Sequence, residues 1–129
     1  GVYYVIGKKD DFEIECAVDT TTIKPHPGGN FYISFGAITA RISEKGGQFF
    51  LDEKPVAQVG AQFTMKLSLT DGGNYEIIVD GKKKGSIYKA VKQDVKIVFG
   101  FSHDSHYCEL LSHAYISGIK MQQGVSQQN

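Results

Sequence analysis

The stretch from Phe63 to Ile87, FTMKLSLTDGGNYEIIVDGKKKGSI, decides the fold class. Phe63, Met65, Leu67 and Leu69 alternate with Thr64, Lys66, Ser68 and Thr70. That period of two is what a strand with one buried face requires. Asp71-Gly72-Gly73-Asn74 ends the strand, Tyr75 to Val79 forms the next, and Asp80-Gly81 is a hairpin signal. A type I′ turn needs positive φ at both central residues, and Asp-Gly meets that need at low steric cost. The segment KKKGSIY then returns as a third strand.

The same period extends outward from this hairpin. Phe12, Ile14, Cys16 and Val18 alternate with Glu13, Glu15 and Ala17, so one face enters a core while the carboxylates face water. In FYISFGAITARI, Phe31, Ile33 and Phe35 share one parity and Ile38, Ala40 and Ile42 the other. A bulge or bend at Gly36 and Ala37 is expected to reconcile the two halves, because one extra residue flips the alternation. Val95, Ile97, Phe99 and Phe101 alternate again, AYISGIKM supplies a last strand, and GVYYVI and QFFL complete the set. About nine short strands and no helix predict an all-β protein, an antiparallel β-sandwich or barrel. One domain is expected over residues 1–121, with 122–129 a polar C-terminal tail or linker. TTTIKPHPGGN is the longest irregular segment, punctuated by Pro25, Pro27, Gly28 and Gly29.

Composition narrows the function classes. The 129 residues and 14.2 kDa fit one compact unit, and 41% hydrophobic with 22% charged residues is an ordinary globular balance. Fourteen Lys+Arg offset fourteen Asp+Glu, so no global field draws the chain to nucleic acid or an anionic membrane. No apolar run approaches the ~20 residues of a membrane-spanning helix, and the first residues lack the basic stretch and cleavage site of a signal peptide. Membrane insertion is not expected. Gly1 at the start and QQGVSQQN at the end are read as a domain of a longer polypeptide. Cys16 and Cys108 sit in strand-like surroundings, where a small buried hydrophobe is the plain reading and a disulfide the alternative. The missing Asn-X-Ser/Thr sequon removes one sign of secretion and leans the expectation toward an intracellular setting.

The order of segments, FEIECAV, FYISFGAITARI, QFFL, the hairpin from Phe63 to Ile87, and VKIVFGF followed by AYISGIKM, resembles the concanavalin A-like lectin and glucanase superfamily. The hairpin looks like that of galectins and laminin G-like domains. This resemblance implies a jelly-roll β-sandwich of two curved antiparallel sheets and, in many members, sugar binding on the concave sheet or its rim. The galectin sugar signature is not carried over: of its His, Asn and Arg, YISFGAITARI keeps only Arg41, and the chain has no Trp. The Trp-rich pattern of SPRY-type domains and the calcium and manganese cluster of legume-type lectins are also missing.

Candidate site residues follow from parity. Tyr32 is out of phase with Phe31, Ile33 and Phe35, so it points away from the face they bury, beside Ser34. His26, Asn30, Tyr32, Arg41 and Gln48 are expected to contribute to a shallow polar, ligand-binding face. His103, Asp104 and His106, in the polar loop SHDSHY, form the densest cluster of potential ligands, with His113 further along. Their spacing matches no zinc motif, so ligand contact or a solvated loop is preferred and no metal or other cofactor is expected. Glu13 and Glu15 lie about 6.5–7 Å apart along a strand, further than a retaining glycosidase's pair, and no Ser-His-Asp role can be assigned within SHDSH. Lys82, Lys83 and Lys84 protect an exposed edge or attract an acidic partner.

The expected function is a non-catalytic, lectin-like module recognising a carbohydrate or glycan-bearing partner. The alternative is a protein-interaction or assembly domain on the same sandwich with no sugar binding, and a small glycoside hydrolase is the third reading. Homodimerisation through an edge strand such as GVYYVI is a further expectation.

Overall fold

A computed structural model describes residues 2–8, 10–21, 30–102 and 115–123. It contains eleven strands: β1 Val2–Ile6, β2 Phe12–Asp19, β3 Asn30–Phe35, β4 Ile38–Ser43, β5 Gly46–Leu51, β6 Lys54–Val59, β7 Gln62–Thr70, β8 Asn74–Val79, β9 Lys82–Tyr88, β10 Val95–Ser102 and β11 Tyr115–Gln123. No described residue is helical, and so no helix is long and apolar enough to cross a membrane. Two antiparallel sheets form a sandwich, one of six strands in the order β1-β10-β3-β4-β5-β6 and one of five in the order β11-β2-β7-β8-β9. The last strand runs through Gln122 and Gln123, pairing Gln123 with Phe12.

The alternation read from the sequence sets which side chains meet between the sheets. Phe31, Ile33, Phe35, Ile38, Ala40, Ile42, Phe49 and Ile97 line one inner face and are almost fully buried. Phe12, Ile14, Cys16, Val18, Phe63, Met65, Leu67, Leu69, Tyr75, Ile77 and Val79 line the other. Rings from opposite sheets interlock edge to face, Phe12 with Phe35 at 5.5 Å, Phe35 with Tyr75 at 5.7 Å and Phe49 with Phe63 at 5.8 Å. Each such pair contributes about 0.5–1.5 kcal/mol beyond the area it buries. Thr20 is the one buried polar residue among the described residues; its hydroxyl hydrogen is shared between the carbonyls of Ser43, at 2.7 Å, and Ala61, at 3.0 Å. That bond ties the end of β2 to the β4–β5 hairpin.

Two expectations about the strands need correction. FYISFGAITARI is not one strand with a bulge or bend but a hairpin, with Phe35 paired to Ile38 across Gly36 and Ala37. A two-residue turn puts its flanking residues on the same face, so the change of parity reflects chain reversal. Gly36 has φ 55° and Ala37 a negative φ, the sign pattern of a type II′ turn. The strand β6 was not expected, which with this split accounts for eleven strands against about nine. Its turn, Asp52-Glu53, takes φ 48° and 71° without a glycine, and Pro55 sits early in the strand. Pro is tolerated there because β6 is an edge.

The edges at this end of the sandwich are guarded. β9 carries Lys82, Lys83 and Lys84 and a bulge opposite Ile78, while β6 carries Lys54, Pro55 and a bulge of its own. Bulges, Pro and Lys are devices that discourage edge-to-edge pairing. At Gly85 the two edges meet, with Leu51 and Val56 3.4 Å from where a Cβ would stand.

Candidate functional site

Side chains that alternate away from the core form the outer face of the six-stranded sheet. Cross-strand pairing sets Gly100 beside Tyr32, Tyr32 beside Arg41, Arg41 beside Gln48, and Gln48 beside Gln58. These positions lie on β10, β3, β4, β5 and β6, so they make one continuous ladder across five adjacent strands. With strands about 4.8 Å apart, the span from Tyr32 to Gln58 is roughly 14 Å. The next ladder runs Val98, Ser34, Thr39, Phe50 and Pro55.

The ladder is built by short hairpins. The β3–β4 turn sets Tyr32 against Arg41, and the β4–β5 turn, Glu44-Lys45 with Gly46 at φ 110°, sets Arg41 against Gln48. A side chain at Gly46 would collide with the Val59 carbonyl, so the tight approach of β6 requires glycine there. The Ser43 hydroxyl accepts from the Lys45 N–H at 3.2 Å and donates to the Gly46 carbonyl at 3.1 Å, fixing the tip. At the other end, the Tyr32 ring lies over Gly100, within 2.8–2.9 Å of where a Cβ would stand.

Arg41, Lys45, Gln48, Phe50 and Gln58 line an open depression of about 320 Å³ at the β4–β5–β6 end of the ladder. Arg41 and Lys45 are exposed, while Tyr32, Gln48 and Phe50 are half-buried. Among the described residues, the side chains of Tyr32, Arg41, Lys45, Gln48 and Gln58 have no hydrogen-bond or ion-pair partner.

The opposite outer face differs. There Glu13 pairs with Lys66 at 3.5 Å and Glu76 with Lys83 at 3.2 Å. A second depression, of about 450 Å³, is lined by Asp19, Gln62, Thr64 and Asp80. Its acidic groups are already engaged: Asp19 accepts from the Thr21 hydroxyl and N–H and from Gln62, and Asp80 accepts from the Thr64 N–H at 2.9 Å. The Thr21 hydroxyl, its N–H and the Gln62 amide hold the Asp19 carboxyl below its usual pKa. No three His, Cys, Asp or Glu side chains converge among the described residues as metal ligands would.

Of the residues singled out in the sequence, Tyr32, Arg41 and Gln48 therefore stand side by side in one ladder. Asn30 is on β3, paired with Ser102. His26, His103, Asp104, His106, His113 and Cys108 lie outside the described residues. Cys16 is a buried free thiol. Sequence reasoning missed Gln58, Lys45 and Phe50. Once β6 is recognised, the alternation of Ala57, Gln58 and Val59 points Gln58 outward.

No protein-family model and no curated protein sequence matches the chain. Solved structures do share its fold. An alginate lyase of polysaccharide lyase family 7 superposes with a TM-score of 0.59 at 14% identity, over 96% of this chain and 63% of that one. The alginate lyase from Corynebacterium sp. gives 0.62 at 10% identity over 94% and 62%, and a sialidase gives 0.54 at 14% identity over 87% and 13%. The chain thus spans less than two thirds of the length of these proteins. At such identities the likeness concerns architecture alone, and the fold is the concanavalin A-like jelly-roll sandwich that the segment order resembled.

Proposed function

We propose that this domain recognises carbohydrate on the outer face of its six-stranded sheet, through the Tyr32–Arg41–Gln48–Gln58 ladder. The observation that carries the reading is the set of polar side chains in that ladder with no partner among the described residues. Amides and a guanidinium at regular strand spacing suit the hydroxyls of a sugar chain, and Tyr32 and Phe50 supply half-buried aromatic surface against which a ring can rest. Similar structures named as alginate lyases and a sialidase are in keeping with carbohydrate as the ligand class.

We read the function as recognition without chemistry. Hydrolysis of a glycosidic bond commonly needs two carboxyl groups flanking it, and the strands that form this face hold none. The fold alone does not decide between binding and catalysis, since alginate lyases share it. A protein-docking reading lacks a surface among the described residues: the exposed large apolar side chains there are Val5 and Tyr88, on different sheets. Such sites are expected to present a contiguous apolar centre with a polar rim.

The test is binding of the labelled protein to a broad glycan array, in calcium and again in EDTA. Dose-dependent binding to one glycan class, lost in Tyr32→Ala and Arg41→Ala, supports the proposal. No binding by protein that is folded by circular dichroism overturns it.

A further inference from the structure

Charge divides unevenly between the two sheets. The six strands that form the ladder's sheet contain no Asp and no Glu, yet they carry Arg41, Lys54 and Lys96. The five strands of the other sheet carry Glu13, Glu15, Asp19 and Glu76 beside Lys66, Lys82, Lys83, Lys84 and Lys120, so it is the carboxylates that are confined to one sheet's strands. Chain-wide, acidic and basic residues are equal in number, so composition does not account for six strands without a carboxylate.

Two cations converge where the ladder deepens. Arg41 and Lys45 both line the depression beside Gln48 and Gln58, and neither side chain is paired among the described residues. The neighbouring carboxylate, Glu44, occupies the hairpin tip and does not line the depression. On the opposite sheet Lys66 and Lys83 are matched by Glu13 and Glu76, while the exposed Lys82 and Lys84 on the β9 edge line neither depression. Two unmatched cations beside strands that carry no carboxylate leave a local positive potential that a ligand anion would neutralise.

We infer that the glycan taken by this face is acidic, with a carboxylate or sulfate group seated between Arg41 and Lys45. This rests on the carbohydrate reading above and adds the chemical class of the sugar. The Arg41 guanidinium presents a planar fork that matches a carboxylate with two parallel hydrogen bonds, and Lys45 adds a point charge. Gln48 and Gln58 donate to and accept from ring hydroxyls, and no strand carboxylate repels the anion.

Isothermal titration with three probes of equal length tests the inference: a galacturonate tetrasaccharide, its neutral galactose counterpart, and a sulfated form of that counterpart. At about 50 mM salt at least one acidic probe is expected to bind some tenfold more tightly than the neutral one, and the advantage to shrink at about 500 mM as screening grows. The uronate and sulfate arms identify which anion is taken. Arg41→Gln and Lys45→Gln should each remove most of the advantage, whereas Lys66→Gln on the other sheet should leave it intact. Melting curves of the variants confirm folding. Equal affinity for neutral and acidic probes, or an advantage that survives in Arg41→Gln, overturns the charge assignment. If Tyr32→Ala still weakens the neutral probe in that case, the carbohydrate reading stands without it. No binding of any probe by folded protein overturns both.

Discussion

Tyr32 lies directly over Gly100: a Cβ at position 100 would stand 2.8 Å from the phenolic oxygen and from the ring carbon that bears it. Glycine on β10 therefore provides the seat for the aromatic at one end of the ladder. Gly100→Ala is expected to lift the ring and weaken glycan binding about tenfold, with a much smaller effect on melting temperature. Titration calorimetry beside a thermal melt checks both. An unchanged affinity would mean that the placement of Tyr32 does not matter for the ligand.

The β3–β4 turn is held from the opposite sheet. Tyr75 is buried on β8, and a Cβ at Gly36 would collide with its hydroxyl. Gly36 also has φ 55°, where a side chain is strained. Gly36→Ala is expected to destabilise the fold by about 2 kcal/mol, combining backbone strain with the clash. Urea denaturation measures the change, and equal stability of Gly36→Ala and the parent would contradict this account of the turn.

At the β5–β6 turn the strain can be relieved. Asp52 and Glu53 both adopt positive φ, and Asp-Gly is the favoured pair for such a turn. Glu53→Gly should stabilise the protein by about 0.5–1 kcal/mol, since the left-handed region costs an ordinary side chain roughly that or more. The Lys89–Asp52 ion pair, at 3.0 Å, is left in place by this change. A lower denaturation midpoint would refute the turn assignment.

These turns also explain how much was legible in the sequence. Strands with a clean alternation, such as Phe63 to Leu69, and the Asp80-Gly81 turn, with φ 50° and 80°, announce themselves because periodicity and turn chemistry agree. β6 did not, because Asp52-Glu53 lacks the glycine or asparagine that marks such a turn and Pro55 argues against a strand. The Gly36 hairpin was misread because a parity change looks the same for a bulge and for a reversal. Parity gave the outward direction of Tyr32, but that Arg41 and Gln48 stand beside it depends on strand order and register. Those are long-range properties of the packed sheets.

Cys16 should be chemically quiet. Burial, and to a lesser degree the Glu15 charge, push its thiol up to about 11, and the thiolate is the reactive form. Iodoacetamide at about pH 8 is expected to leave Cys16 unmodified in the folded protein and to label it after unfolding, as read by mass spectrometry. The sign of the linked stability effect follows. Above the unfolded thiol's pKa the unfolded chain releases this proton while the folded chain keeps it, so this contribution falls as pH rises from about 9 to 11. Cys16→Ala should flatten that decline, and rapid native labelling would contradict the buried environment.

The most direct test of the recognition face is chemical-shift mapping. Isotope-labelled protein is titrated with the oligosaccharide that scores highest on the glycan array, and perturbed backbone amides are placed on the sheets. The largest shifts are expected at Tyr32, Arg41, Lys45, Gln48 and Gln58, along one outer face. Shifts confined to Asp19, Gln62, Thr64 and Asp80, on the other sheet, would contradict it.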